Sequence, residues 1–143
     1  MYDEAYTAVE TWLRWRQGPG SVWVFKWVET PFVCATRRVG MTPDAYAVRF
    51  DGCRAGFDWK TGKHLHVENT YQGAAYTEGM EENGWPCDEF HVVHCPRIGN
   101  GPYSLVMAGK PLETARTVFA KLRWCYEAER QLKAFNATLL KRG

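Results

Sequence analysis

Apolar residues recur at helical spacing in the first stretch of the chain, where Ala5, Val9, Trp12 and Leu13, together with Arg16, follow one face from about Glu4 to Gln17. Asp3 is placed to cap this helix, and Gly18-Pro19-Gly20 ends it. The period then changes to two. Over Ser21 to Val28, Trp23, Phe25 and Trp27 point one way, and Val22, Val24 and Val28 the other with Lys26 among them, which predicts a strand covered on both faces. Phe32 to Val39 is expected as its hairpin partner across Thr30-Pro31.

Tyr46, Val48 and Phe50 alternate into Asp51-Gly52, and Cys53, Ala55, Phe57 and Trp59 alternate out, the pattern of a hairpin with a two-residue turn. A third strand is expected over His64 to Asn69 after Lys60-Thr61-Gly62. Residues 71 to 88 carry three glycines and a proline and read as a loop, followed by a strand pair, Glu89 to Cys95 and Tyr103 to Ala108. Val118, Leu122, Cys125, Ala128, Leu132, Phe135 and Leu139 then form the stripe of a final helix beginning at Pro111. From Pro111 to Lys141 it would extend about 46 Å, whereas a compact domain of this length is about 37 Å across. An overhang that pairs with a second copy is expected. The pattern predicts a single α+β domain over residues 1–143, an antiparallel meander of about six or seven strands bracketed by an N-terminal helix and a long C-terminal helix.

Composition narrows the class. The chain is 45% hydrophobic and 15% aromatic, far from disorder, and its net charge of +2 gives no electrostatic case for general nucleic-acid or membrane binding. The start, Met1-Tyr2-Asp3-Glu4, lacks the apolar core of a signal peptide, and no apolar run approaches a membrane span. Five cysteines without a C-x-x-C read as reduced, mostly buried thiols of a cytoplasmic protein.

Candidate chemistry follows from the hairpin register. A two-residue turn pairs Phe50 with Cys53, Val48 with Ala55 and Tyr46 with Phe57 on an apolar face. The opposite face then presents Arg49 across from Arg54. With the third strand docked so that Leu65 and Val67 turn inward, Asp58 faces His64, Gly56 faces His66 and Arg54 faces Glu68. Arg49, Arg54, Asp58, His64, His66 and Glu68 thus form a polar patch floored by Ala45, Ala47 and Gly56. Two opposed arginines suit a phosphate or carboxylate between them, and an aspartate beside a histidine suits acid–base work.

Two other patterns carry candidate chemistry. His64-x-His66, and Cys87, His91, His94 and Cys95, invite a metal, yet His91 and His94 point to opposite faces of a strand and no pair has zinc-finger spacing, so no metal site is assigned. Pro43-Asp44 followed by Asp58-Trp59-Lys60 resembles the P-D…D-x-K pattern of a large nuclease superfamily, which implies a metal between two carboxylates and a lysine assisting the attacking water. The two-residue turn sets Asp44 opposite Trp59, on the face away from Asp58 and Lys60, so the pattern needs a bulge to unite its acids. No P-loop, dinucleotide glycine motif or G-x-S-x-G is present, and no cofactor is assigned. Trp85, in Asn83-Gly84-Trp85-Pro86, reads as a lid over the core.

The expectation is therefore a small intracellular non-enzymatic binding protein of the inhibitor or sequestering type, such as mobile elements carry. It would associate with itself through the last helix and take a partner protein or a phosphate-bearing small molecule on the polar sheet face. The alternative is a hydrolase or nuclease, with or without a metal, using His64, His66, Asp58 and Glu68.

Overall fold

The computed structural model describes residues 2–140. In chain order the elements are α1 (Tyr2–Gln17), a 3-10 turn (Pro19–Val22), β1 (Trp23–Val28), β2 (Phe32–Cys34), β3 (Val39–Met41), β4 (Ala45–Arg49), β5 (Arg54–Lys60), α2 (Glu68–Glu82), β6 (Glu89–His94), β7 (Tyr103–Ala108) and α3 (Gly109–Leu140). The fold is α+β, but the antiparallel meander is corrected to a mixed five-stranded sheet of order β1-β4-β5-β6-β7, with β2 and β3 in a separate two-stranded sheet. Phe32–Cys34 pairs with Val39–Met41 and not with β1, whose partner is β4.

The largest departure lies between β5 and β6. The strand expected over His64 to Asn69 is instead a loop leading into α2, and most of the segment read as a loop is that helix. The glycines that resemble breakers serve close approach. A Cβ at Gly73 would lie 2.6 Å from the Phe90 ring and 2.8 Å from the tip of Met107, and Gly79 meets Met41 in the same way. With Ala74, Ala75, Thr77 and Met80 also buried, α2 lies against the sheet where a bulkier helix would be held off. This helix is the crossover that lets β6 run parallel to β5, with Asp58 level with Val92 and Lys60 level with His94.

Both faces of the sheet are covered. On the α2 side, Tyr46, Phe90, Val92 and Met107 pack with Met80, Leu112 and Ala115 of the helices. On the α1 side, Trp23, Ala45, Ala47, Ala55, Phe57 and Val93 pack with Trp15. Phe57 stacks on Trp59 and meets Trp15 and Trp23 edge-on. A bulge between Phe25 and Trp27 moves Trp27 to the α2 side, where it stacks on Tyr46 and meets Trp85 edge-on. Trp85 thus covers the core edge, as its lid reading expects, and the Tyr46 hydroxyl donates to the Pro86 carbonyl at 2.9 Å.

The helix α3 has 32 residues, about 48 Å at 1.5 Å per residue. Its first turns bury Leu112 and Ala115, whereas every residue from 129 to 138 is exposed, so its far end overhangs. Among the described residues no helix is long and apolar enough to cross a membrane.

The glycine contacts give a stability test. Gly73→Val should cost about 1–3 kcal/mol by forcing α2 off Phe90, while Gly40→Ala, with open space around its Cβ, should stay within about 0.5 kcal/mol. Urea denaturation midpoints of the two variants check this ordering.

Candidate active site

The β4–β5 register decides which side chains meet. Val48 pairs with Arg54, Ala47 with Ala55, Tyr46 with Gly56 and Ala45 with Phe57, one residue away from the register of a two-residue turn. The connection is a three-residue loop: Gly52 N–H donates to the Arg49 carbonyl, Arg49 N–H donates to the Cys53 carbonyl, and Gly52 has φ +88°. Asp51 fixes it further by accepting the Cys53 N–H and the Arg49 guanidinium at 3.0 Å each. A side chain at φ +88° would be strained, so Gly52 is what makes this loop available.

That shift dissolves the polar face. Arg49 turns to the α1 side, bonds Asp51, approaches Glu89 at 3.7 Å and lies 5.1 Å above the Trp23 ring. Arg54 turns to the α2 side and is clasped by Asp88 at 2.9 and 2.7 Å, which holds the Asp88 carboxyl below the usual carboxylate range. The two arginines share no gap for an anion, and each already has a carboxylate. Ala45, Ala47 and Ala55 floor the α1 side, not a solvated patch. His64 and His66 are exposed in the loop before α2, and Glu68 stands exposed at the start of that helix. The expectation that these six residues share one sheet face is therefore corrected.

The same shift unites what the two-residue turn would separate. Extending the observed pairing by one residue sets Asp44 opposite Asp58, on the α2 side with Tyr46 and Val48. Asp44 Oδ2 accepts the Trp59 backbone N–H at 2.6 Å, and Asp58 Oδ2 lies 2.7 Å from Lys60 Nζ. Asp58 is 5% exposed. Burial pushes the Asp58 carboxyl above its ordinary pKa; Lys60 pulls it down and the neighbouring charge of Asp44 adds to the rise. Asp44 is also raised by burial, against the Trp59 hydrogen bond and Lys60. Two desolvated carboxylates thus face one ammonium.

Sequence reasoning missed the helix that covers them. Tyr76 of α2 accepts a hydrogen bond from Gln72 Nε2 at 2.8 Å. Burial raises the Tyr76 phenol first, and the charges of Asp58 and Asp44 raise it further. Glu68, Gln72 and Tyr76 form an i, i+4, i+8 row along one wall of a cleft of about 680 Å³, which Thr42, two residues before Asp44, also lines. That polar row was the available signal, inside a segment read as loop.

Beyond Lys60, His94 is 8% exposed and donates from Nε2 to the Gly62 carbonyl at 2.7 Å, tying the β5–α2 loop to the sheet. Lys63, His64 and Tyr103 line a second cleft beside it, of about 470 Å³. His91 lies on the other face, as its spacing from His94 predicts, stacked on Phe57 with Nε2 at 2.8 Å from Glu89 Oε1; burial pushes its pKa down. The five cysteines are unpaired, and burial pushes the Cys87 thiol up to about 12. Among the described residues, no three His, Cys, Asp or Glu side chains converge as a metal cage. No protein-family model matches the chain, and no curated protein matches it in sequence.

A raised carboxyl pKa makes stability fall with increasing pH. Between the ordinary value near 4 and the raised folded value, the folded protein keeps a proton that the unfolded chain has released; above that window the loss is complete. Asp44→Asn keeps an acceptor for the Trp59 N–H and removes the charge. It should raise the melting temperature at pH 8 in metal-free buffer, with the gain shrinking towards pH 4. Melting curves of both proteins across that range check the sign.

Proposed function

We propose that the protein is a metal-dependent phosphodiesterase acting on nucleic acid, with Asp44 and Asp58 as carboxylate ligands and Lys60 beside them. The observation that carries this reading is the observed strand register, which brings the two acids of the P-D…D-x-K pattern to one sheet face with Lys60 Nζ 2.7 Å from Asp58. It moves the chemistry from His64, His66 and Glu68 to Asp44 and Lys60, keeping Asp58.

The donor set fits a hard divalent cation such as Mg²⁺ or Mn²⁺. Such ions are held by one or two carboxylates, with water and substrate phosphates completing the shell, and need no all-protein cage. Two carboxylates desolvated beside each other favour exchanging protons for a cation, which is how their raised pKa values fit a metal site. When bound, such an ion supplies Lewis-acid charge stabilisation and lowers the pKa of its water. The protein's own part is positional. Asp44 is aimed by the Trp59 N–H and Asp58 by its strand. Lys60 brings a positive charge to where a phosphoryl oxygen and the attacking water would sit. Gln72 orients the Tyr76 hydroxyl at the edge of the pair.

An expected outcome follows for a fluorescently labelled oligonucleotide incubated with Mg²⁺. Wild-type protein should cut it, EDTA should stop the reaction, and Asp58→Ala should lose at least about 100-fold in rate. Cleavage that persists at the wild-type rate in purified Asp58→Ala would sink the assignment.

Self-association through α3 remains a second proposal, supported by one observation. Leu132 and Phe135 are 63% and 60% exposed on turns that overhang the sheet. Light scattering should give a dimer mass for the wild type and a monomer for Leu132→Asp/Phe135→Asp. A monomeric wild type at micromolar concentration contradicts it.

A further inference from the structure

The 680 Å³ cleft beside the acid pair is walled by α2, β3 and the middle of α3. Its wall chemistry is uneven in an informative way. Tyr71 and Tyr76 come from α2, and Phe119 and Tyr126 from α3, so four aromatic rings border one opening. The charged members of the lining are Glu68 and Arg123, and Arg123 is already engaged by Glu127 and the Arg37 and Arg38 carbonyls, so the cleft presents no unengaged cation to a phosphate and tolerates a neutral ring bearing hydrogen-bond donors.

Tyr126 is the unusual member. It is 56% exposed, yet it is not free to swing, because Arg123 lies 5.2 Å from its ring centroid and is itself fixed. The Arg123 guanidinium donates to the carbonyls of Arg37 and Arg38 at 2.8 and 3.0 Å and pairs with Glu127. An exposed ring whose neighbour is locked this way has little left to order on binding, which suits a stacking platform.

From these observations we propose that the cleft is a nucleobase subsite and that the strand entering the acid pair is single-stranded, with one unpaired base stacked among Tyr71 and Tyr126. The proposal rests on the phosphodiesterase reading for the direction of the strand: Thr42 lines the cleft two residues before Asp44, and Tyr76, also in the lining, feels the charges of both acids. A base inside a duplex reaches such a cleft only by leaving its stack, at a cost of a few kcal/mol. A single strand has no such cost. Duplex is therefore disfavoured by that unstacking cost. Stacking on an aromatic ring is tolerant of base identity, so no strict sequence preference is expected.

The test uses the full chain in EDTA, where no turnover occurs, with fluorescein-labelled oligothymidylate as the single strand and its oligoadenylate duplex as competitor. Fluorescence anisotropy should show tighter binding of the single strand than of the duplex. Tyr126→Ala should weaken single-strand binding by about 5- to 160-fold, the range for losing one stacked base, and Tyr126→Phe should restore it. Unchanged melting curves keep a folding defect from passing as support. Equal affinity for duplex and single strand, or a Tyr126→Ala variant that binds like wild type, overturns the proposal. The two readings fail separately. Mg²⁺-dependent cleavage with unaltered binding in Tyr126→Ala removes the subsite and leaves the phosphodiesterase. Tyr126-dependent binding without cleavage of either probe supports the subsite and removes the enzyme.

Discussion

The metal-site reading of this protein depends on one glycine in a turn. Gly52, at φ +88°, lets the chain close β4 onto β5 with three loop residues in place of two. Because side chains alternate along a strand, one residue of slip moves every side chain of one strand to the other face relative to its partner. With two loop residues, Arg49 and Arg54 would oppose each other and Asp44 would turn away from Asp58. With three, the arginines part to opposite faces and the two acids stand level. Asp51 secures the choice locally through the Cys53 N–H and the Arg49 guanidinium.

A second constraint acts through the helix pair. The sheet is buried on both sides, so it offers no broad solvated face for recognition, and polar groups that remain inside must be paired or functional. Most are paired: Arg37 with Glu78, His91 with Glu89, and His94 with the Gly62 carbonyl. Asp44 and Asp58 differ, since two acids face one lysine. Charge left uncompensated in a desolvated place is the kind of feature that proteins keep for chemistry. The cleft is linked to it through Tyr76 of α2, which lines the cleft and whose phenol is raised by burial and by the charges of both acids.

Much of this was legible in the sequence, and the failures are physical. The terminal helices, the strand at β1 and the pairs around Asp51-Gly52 and Gly99-Asn100 follow from periodicity, because each is local. The helix α2 was hidden because Gly73 and Gly79 read as breakers, whereas their lack of a Cβ is what seats the helix on Phe90 and Met41. Parallel pairing of β5 with β6 is non-local and leaves no turn signature. The bulge at Phe25–Trp27 splits a run of aromatics that alternation alone assigns to one face. For the site, Pro43-Asp44 and Asp58-Trp59-Lys60 were visible as a string. Their convergence was not, because Asp-Gly serves two- and three-residue loops alike, and the side-chain bonds of Asp51 that decide between them are not written in the pattern.

The account's central claim is that Asp44 and Asp58 act as one divalent-cation site. Calorimetric titration of Mn²⁺ into the wild-type protein, Asp44→Asn and Asp58→Asn tests it most directly. One site per chain in the wild type, lost in either single variant, is the predicted result. A wild-type protein that takes up no Mn²⁺, or an Asp44→Asn variant that binds it as the wild type does, would contradict the account.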